Sequence, residues 1–254
     1  MKRIALTLAA VSAILLASPA LAQLAPDDLA ITGAGFGNGW DTEIELADSP
    51  AGTGTSGSIT LRTALAGPCP PICNVVPYAV RPHGTARILM SQAFPAFAGL
   101  VTLHVSTDTE QPLPIVRARI FNAAQPGLSA DVPVLRNPTL SPRNFSVLVF
   151  PGLARAQGTY SNLVLQNFDP SLATDVLVEA FGPDGALLGS ETVYLPREPF
   201  GAVVLVDVAG RLGATSVDGG SVRVTRQSGQ ELVWGVLDTI YADGRIAVVA
   251  GANP

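Results

Sequence analysis

Apolar and polar residues alternate with a period of two along most of this 254-residue chain. Trp40, Thr42, Ile44 and Leu46 alternate with Asp41, Glu43 and Glu45. An extended backbone points successive side chains to opposite sides, so this predicts a strand with one buried and one wet face. The rhythm recurs at residues 59–61, 101–105, 176–178, 222–224 and 246–248. Residues 115–121, 145–150, 203–208 and 232–237 are short, mainly apolar runs, which predict strands covered on both faces. Between them stand Asn38-Gly39, Asp184-Gly185, Asp218-Gly219 and Asp243-Gly244. Glycine tolerates φ > 0 without strain and Asn or Asp tolerates it better than most, so these pairs predict tight hairpin turns. Scattered prolines would break a helix interior, and no window of 12 residues carries a helical stripe. The fold class expected is all-β, with antiparallel sheets packed as sandwiches.

The chain also repeats itself. Residues 30–48 align on 149–167 without a gap at an offset of 119, placing Gly33 on Gly152, Gly39 on Gly158 and Ile44 on Leu163. Further on, Gly99 matches Gly220 at an offset of 121, and Pro114 matches Glu231 at 117. Divergent duplication of one β module explains this pattern, with loop insertions causing the drift. The expected organisation is a signal peptide at 1–22, one β-sandwich module at 23–137, a linker at 138–144 and a second module at 145–254. The linker contains Pro138 and Pro142, which makes it a short, semi-rigid joint.

The address follows from the first residues. Lys2-Arg3 precede an apolar run over 4–17, and Ala20-Leu21-Ala22 offers small residues where a signal peptidase reads. The run falls short of the roughly 20 residues that span a bilayer. Export to the periplasm or beyond is expected, without membrane insertion once the signal is removed. The remaining chain holds 13 arginines against 20 acids and no lysine, because Lys2 leaves with the signal. Clustered positive charge, which nucleic acid or anionic lipid would require, is missing. Aromatic residues are 6% of the chain, too few for the paired girdles of an outer-membrane barrel.

Two stretches share a finer grammar. Gly39-Trp40 leads into alternating residues that end at Leu46-Ala47-Asp48, and Gly158-Thr159-Tyr160 into Leu165-Gln166-Asn167. A Gly-x-Val-x-Val strand at Gly220 and the strand from Ala118 to Asn122 complete the set. This pattern resembles tandem Ig-like β-sandwich modules of secreted bacterial proteins. The resemblance implies the fold and no catalytic residue. The second copy departs from the first, with Thr159 where Trp40 stands and Asp238 where Phe121 stands.

Candidate chemistry is sparse. Cys69 and Cys73, in Pro-Cys-Pro-Pro-Ile-Cys, most simply form a local disulfide in an oxidising compartment, contributing about 2 kcal/mol. Free thiols are the other reading, with metal or redox use a distant third. Asp41, Glu43 and Glu45 share a strand face at about 6.5–7 Å spacing, within reach of a glycosidase pair. Parallel side chains on an open sheet do not flank a substrate bond, so a solvated face is expected. Asp108, Glu110, Asp169 and Asp175 lie in loops without calcium-loop spacing. The run from Gly33 to Gly39 resembles a phosphate cradle only superficially, because a strand follows it and not a helix; a flexible loop is expected. His83 and His104 are expected to be ordinary exposed or half-buried residues. No Gly-x-Ser-x-Gly elbow is present, and lysine chemistry is excluded. Trp40, Tyr160, Tyr194, Trp234 and Tyr241 form the pool for sugar stacking, with Trp40 expected in a core. The sequence therefore predicts a non-catalytic, cofactor-free structural or binding protein. Its partner would be a protein or surface polymer. Two alternatives stand beside it: a two-domain periplasmic chaperone gripping a carboxylate through Arg136, Arg143 or Arg155, and a carboxylate-based glycosidase.

Overall fold

The computed structural model describes residues 29–62, 75–108, 111–136, 146–169, 171–197, 202–228 and 233–252. The expected signal peptide, Cys69, Cys73, Glu110, Arg143 and the linker at 138–144 lie outside the described residues. What is described is an all-β protein of four antiparallel sheets. Sheet I runs β4 (Val75–Val80), β3 (Thr55–Arg62), β6 (Gly99–Thr107), β1 (Leu29–Phe36), β9 (Val134–Arg136). Sheet II runs β5 (Thr85–Leu89), β2 (Trp40–Ala47), β7 (Ile115–Asn122), β8 (Gln125–Val132). Sheet III runs β13 (Leu187–Leu195), β12 (Thr174–Phe181), β15 (Val217–Arg226), β10 (Val147–Arg155). Sheet IV runs β14 (Ala202–Leu205), β11 (Tyr160–Asn167), β16 (Val233–Ile240), β17 (Ile246–Ala250). Two single-turn helices, α1 (Met90–Ala93) and α2 (Val208–Arg211), follow β5 and β14.

Period-two patterning explains the packing. Ile31, Ile44, Leu46, Ile59 and Leu103 point inward between sheets I and II and are fully buried or nearly so. Phe150, Leu163, Leu165, Val178 and Leu205 do the same between sheets III and IV. Each such side chain contributes about 1.5–3 kcal/mol by leaving water, and the two cores account for the sandwich-like pairing of the sheets.

The halves repeat one topology, and the pairing registers fix the offset more tightly than sequence does. Ile31 pairs with Leu103, and Phe150 with Val222; Ile44 pairs with Ala118, and Leu163 with Leu237. Each of these correspondences runs at 119. The offsets of 121 and 117 expected at the two later strands are therefore each shifted by two residues, which preserves the inward and outward faces. One consequence is that Asp238 stands where Arg119 stands, and not where Phe121 does.

Local devices repeat as well. Gly33 (φ +86°) and Gly152 (φ +88°) each sit at a register shift in their strand. Thr42 Oγ1 accepts from the Gly35 N–H at 2.8 Å and donates to the Gly35 carbonyl at 2.7 Å. Ser161 Oγ makes the same two bonds to Ala154 at 3.0 and 3.1 Å.

Several expectations need correction. The glycine-rich stretch is not a flexible loop: Gly33 and Gly35 lie inside β1, and only Gly37-Asn38-Gly39 turns. Asp218-Gly219 lies within β15 at an irregular register with β10, not at a hairpin turn. The run at 203–208 divides between β14 and α2 because Asp207, at φ +45°, caps the helix by accepting from the Gly210 N–H. β7 and β10 are covered on one face and not two, since Ile115, Arg117 and Pro151 are exposed or nearly so. β16, in contrast, is buried on both faces along almost all its length, as its apolar run predicts.

Candidate functional site: a cleft at the seam between sheets I and IV

Sheets I and IV close on each other through their outer faces. On sheet I this face carries Ala30 and Thr32 from β1 with Thr102 and His104 from β6, all buried. Opposite them, sheet IV presents Gln166, Trp234 and Val236, also buried. Ala30, Leu135, Phe168 and Trp234 form one apolar cluster across the seam. The His104 ring lies 5.8 Å from that of Phe168. The backbones approach closely at Gly33, where a Cβ would stand 2.5 Å from Val236 Cγ2. Ile240, Ile246 and Val248 extend the core of sheets I and II from the far side.

At one end the seam opens into a cleft of about 270 Å³. Phe36 and Trp40 come from the β1–β2 corner, Tyr160 from the start of β11, and Val206 from the segment after β14. Asn162 and Asp238, directly opposed on β11 and β16, complete the wall. Asp238 is fully buried, and neither of its carboxyl oxygens has a hydrogen-bond partner among the described residues. Both oxygens lie beneath Gly33, 3.3 Å from where a Cβ would be. Burial pushes this carboxyl well above the ordinary aspartate range, because a charge removed from water without a partner is costly. As an acid it can donate one hydrogen bond; as a carboxylate it would require a cation.

The residues singled out from sequence fall in several places. Asp41 is not on a solvated face: its carboxylate turns to α1, accepting from Ser91 Oγ at 2.6 Å and from the Ser91 N–H at 3.2 Å. Glu43 and Glu45 are half-buried among arginines, with Arg119 at 3.5 Å from Glu43 and Arg87 at 3.8 Å from Glu45. They line a shallow dip of about 130 Å³ on sheet II. Opposed charges at this spacing form an ionic lattice, which suits a structural face better than a general acid.

His83 sits in an exposed turn at φ +57°, its N–H donating to Asp48 at 2.7 Å. His104, expected to be exposed or half-buried, is instead 2% exposed within the seam. Trp40 is half-buried: it packs on the core of sheets I and II and also faces the cleft. Trp234 lies in the seam, Tyr194 is exposed on β13, and Tyr241 stacks under Arg245 at 5.0 Å. Only Trp40 and Tyr160 of the five aromatics meet at one site. Arg155 holds Asp207 at 2.9 Å and the carbonyls of Ala214 and Thr215, while Arg136 ends β9 in the open. Asp169 Oδ1 accepts from the Ser171 and Leu172 N–H groups, Asp175 faces Ser228, and Asp108 bonds Ser56. Among the described residues, no three His, Cys, Asp or Glu side chains gather as metal ligands.

Asp238 and its cleft were not anticipated from sequence. The available signal was a lone acid inside the run from Leu232 to Ile240. No family model matches this chain, and neither a curated protein nor a solved structure matches it significantly.

Proposed function

We propose that this chain is an exported, non-catalytic binding protein built from a duplicated sandwich-like unit, serving at the cell surface or in its matrix. The observation that supports this reading best is the seam. Two buried faces hold the halves together, and the cleft left at one end is lined by apolar and aromatic side chains with few polar groups. Such concave, largely apolar sites with one or two placed polar groups are typical of ligand pockets. The charged side chains elsewhere support structure: Arg155 anchors α2, and the arginines of sheet II neutralise its glutamates.

Kinship with Ig-like modules is part of the same reading, at the level of architecture. Each half pairs two antiparallel sheets, but the first half's strand orders 4-3-6-1-9 and 5-2-7-8 differ from the 1-2-5-4 and 3-6-7 of constant immunoglobulin domains. A chaperone's basic grip finds less support, because among the described residues no arginine lines the cleft.

The test is co-sedimentation of the purified full chain with washed envelope and matrix fractions of the cells that export it, alongside a broad panel of glycan, ester and peptide substrates. Saturable retention without turnover is expected. Turnover that follows the protein through purification would overturn the reading.

A further inference from the structure

We propose that the seam cleft binds a small organic ammonium ion with an apolar body, held between aromatic side chains and by the Asp238 carboxylate. The proposal builds on the reading of this chain as a binding protein and names the chemistry of its ligand.

Three observations converge on a cation. The cleft wall contains one acid and no basic residue among the described residues. Phe36, Trp40 and Tyr160 line the cleft with aromatic rings, and the negative quadrupole of a ring face attracts ammonium groups when water is excluded. Asp238 is a fully buried carboxyl without a partner among the described residues, and buried charges persist only when paired. A structural role would have supplied that partner. In the equivalent position of the other half, Arg119 has one, its guanidinium lying 3.5 Å from Glu43. Asp238 instead faces Asn162 on β11, Val248 on β17 and the backbone of Gly33 on β1. Titratable groups on the packed elements include Tyr160, at the cleft, Asp207, whose N–H donates to Asn162 Oδ1 opposite Asp238, and His104 on β6, whose ring packs on Phe168. The volume, about 270 Å³, suits a single-ring amine and not a polymer segment.

The step balances simply. The neutral acid meets an ammonium ion, loses its proton to the buffer, and remains as an ion pair with the ligand. An amine should therefore bind with proton release, whereas a neutral alcohol of the same shape should not. Burial without a partner among the described residues holds this carboxyl well above the ordinary aspartate range in the empty site, so release is expected wherever the pH lies below that raised value.

Titration calorimetry of the full chain with 2-phenylethylamine, 2-phenylethanol and phenylacetate, in buffers of different ionisation enthalpy, tests this. The amine is expected to bind at least tenfold more tightly than the alcohol and to release close to one proton. Asp238→Asn should abolish the release and reduce amine affinity to that of the alcohol. Should that variant fail to fold, Val206→Arg provides the second arm. Val206 is 64% exposed at the cleft, so a cation there should spare the fold and weaken the amine at least fivefold more than it weakens the alcohol. Equal binding of alcohol and amine, preference for phenylacetate, binding without proton release, or no binding by any probe would each overturn the proposal. Envelope retention without amine binding would overturn it while leaving the broader function standing.

Discussion

The outer faces of sheets II and IV occupy the same place in two copies of one topology, yet one is an ionic surface and the other a buried seam. At an offset of 119, Glu43 becomes Asn162, Glu45 becomes Val164, Arg117 becomes Val236 and Arg119 becomes Asp238. Sheets I and III show the reverse pairing. Thr32, Thr102 and His104 are buried in sheet I, whereas their counterparts Pro151, Ser221 and Arg223 in sheet III are exposed or half-exposed. Inward positions stay apolar in all four sheets apart from buried hydroxyls such as Thr42, Ser161 and Thr239, so the unit's core is indifferent to its outer faces. What distinguishes the copies is removal of charge from one outer face of each, and those two faces meet. The largest break in this comparison should come from restoring the charge. Val164→Glu places at the buried seam the residue that the exposed copy carries as Glu45, away from the arginine that stands 3.8 Å from Glu45. An uncompensated buried charge costs about 3–5 kcal/mol. Urea unfolding should show that loss, while Arg117→Val, on the exposed face, should leave the midpoint almost unmoved.

The paired glycines sharpen the same contrast. Gly33 and Gly152 share a left-handed conformation, so alanine strains both by about 1–2 kcal/mol. Their surroundings differ. A Cβ at Gly152 meets nothing within 4 Å, whereas at Gly33 it collides with Val236 and approaches Asp238. Gly33→Ala should therefore cost about 3 kcal/mol in thermal unfolding, once overpacking is added to the strain, and Gly152→Ala about half of that. Equal losses would mean that the seam yields, and that the two halves are not firmly joined.

How much of this was legible depends on which surface a residue meets. Leu61, Val105, Val178 and Val224 announce their inward positions by alternating with polar neighbours, because a strand's own pleat sets that pattern. The repeat of 30–48 at 149–167 was readable for the same reason, since glycines at φ > 0 and a clamped hydroxyl impose local demands on sequence. The seam was not readable. A face of Ala30, Thr32, Thr102 and Gln166 reads as half-wet, and nothing within one strand says that another sheet will cover it. Asp238 was missed because the offset of 117 aligned it with Phe121. Register with β11 shows its true counterpart to be Arg119, and only then does an acid without a partner become conspicuous.

The hydroxyl clamps provide a control in which the copies should agree. Thr42→Val keeps shape but leaves the buried N–H and carbonyl of Gly35 without that partner; Ser161→Ala does the same to Ala154. An unsatisfied buried backbone group costs about 1–3 kcal/mol, so each substitution should remove about 2 kcal/mol. Ser161 also meets Thr239 Oγ1 at 2.8 Å, which should make its loss the slightly larger. Hydrogen exchange should show the nearby amides of β1 or β10 opening first. A large effect in one half only would mean that the shared geometry carries unequal energy in the two copies.

The smallest effect is expected where the comparison began, on the charged face. Arg119 and Glu43 lie 3.5 Å apart with side chains 38% and 19% exposed, so water screens most of their attraction. Pairs of this kind contribute about 0.2–1 kcal/mol. Arg119→Ala should lower stability by about 0.5 kcal/mol at low salt. Because the Debye length falls to about 3 Å at 1 M salt, the difference should shrink towards zero there. Arg87 would still stand 4.0 Å from Glu43, which limits the loss further. A loss of several kcal/mol, insensitive to salt, would mean that the outer face of sheet II is covered in solution as the face of sheet IV is. The distinction between ionic surface and buried seam would then fail.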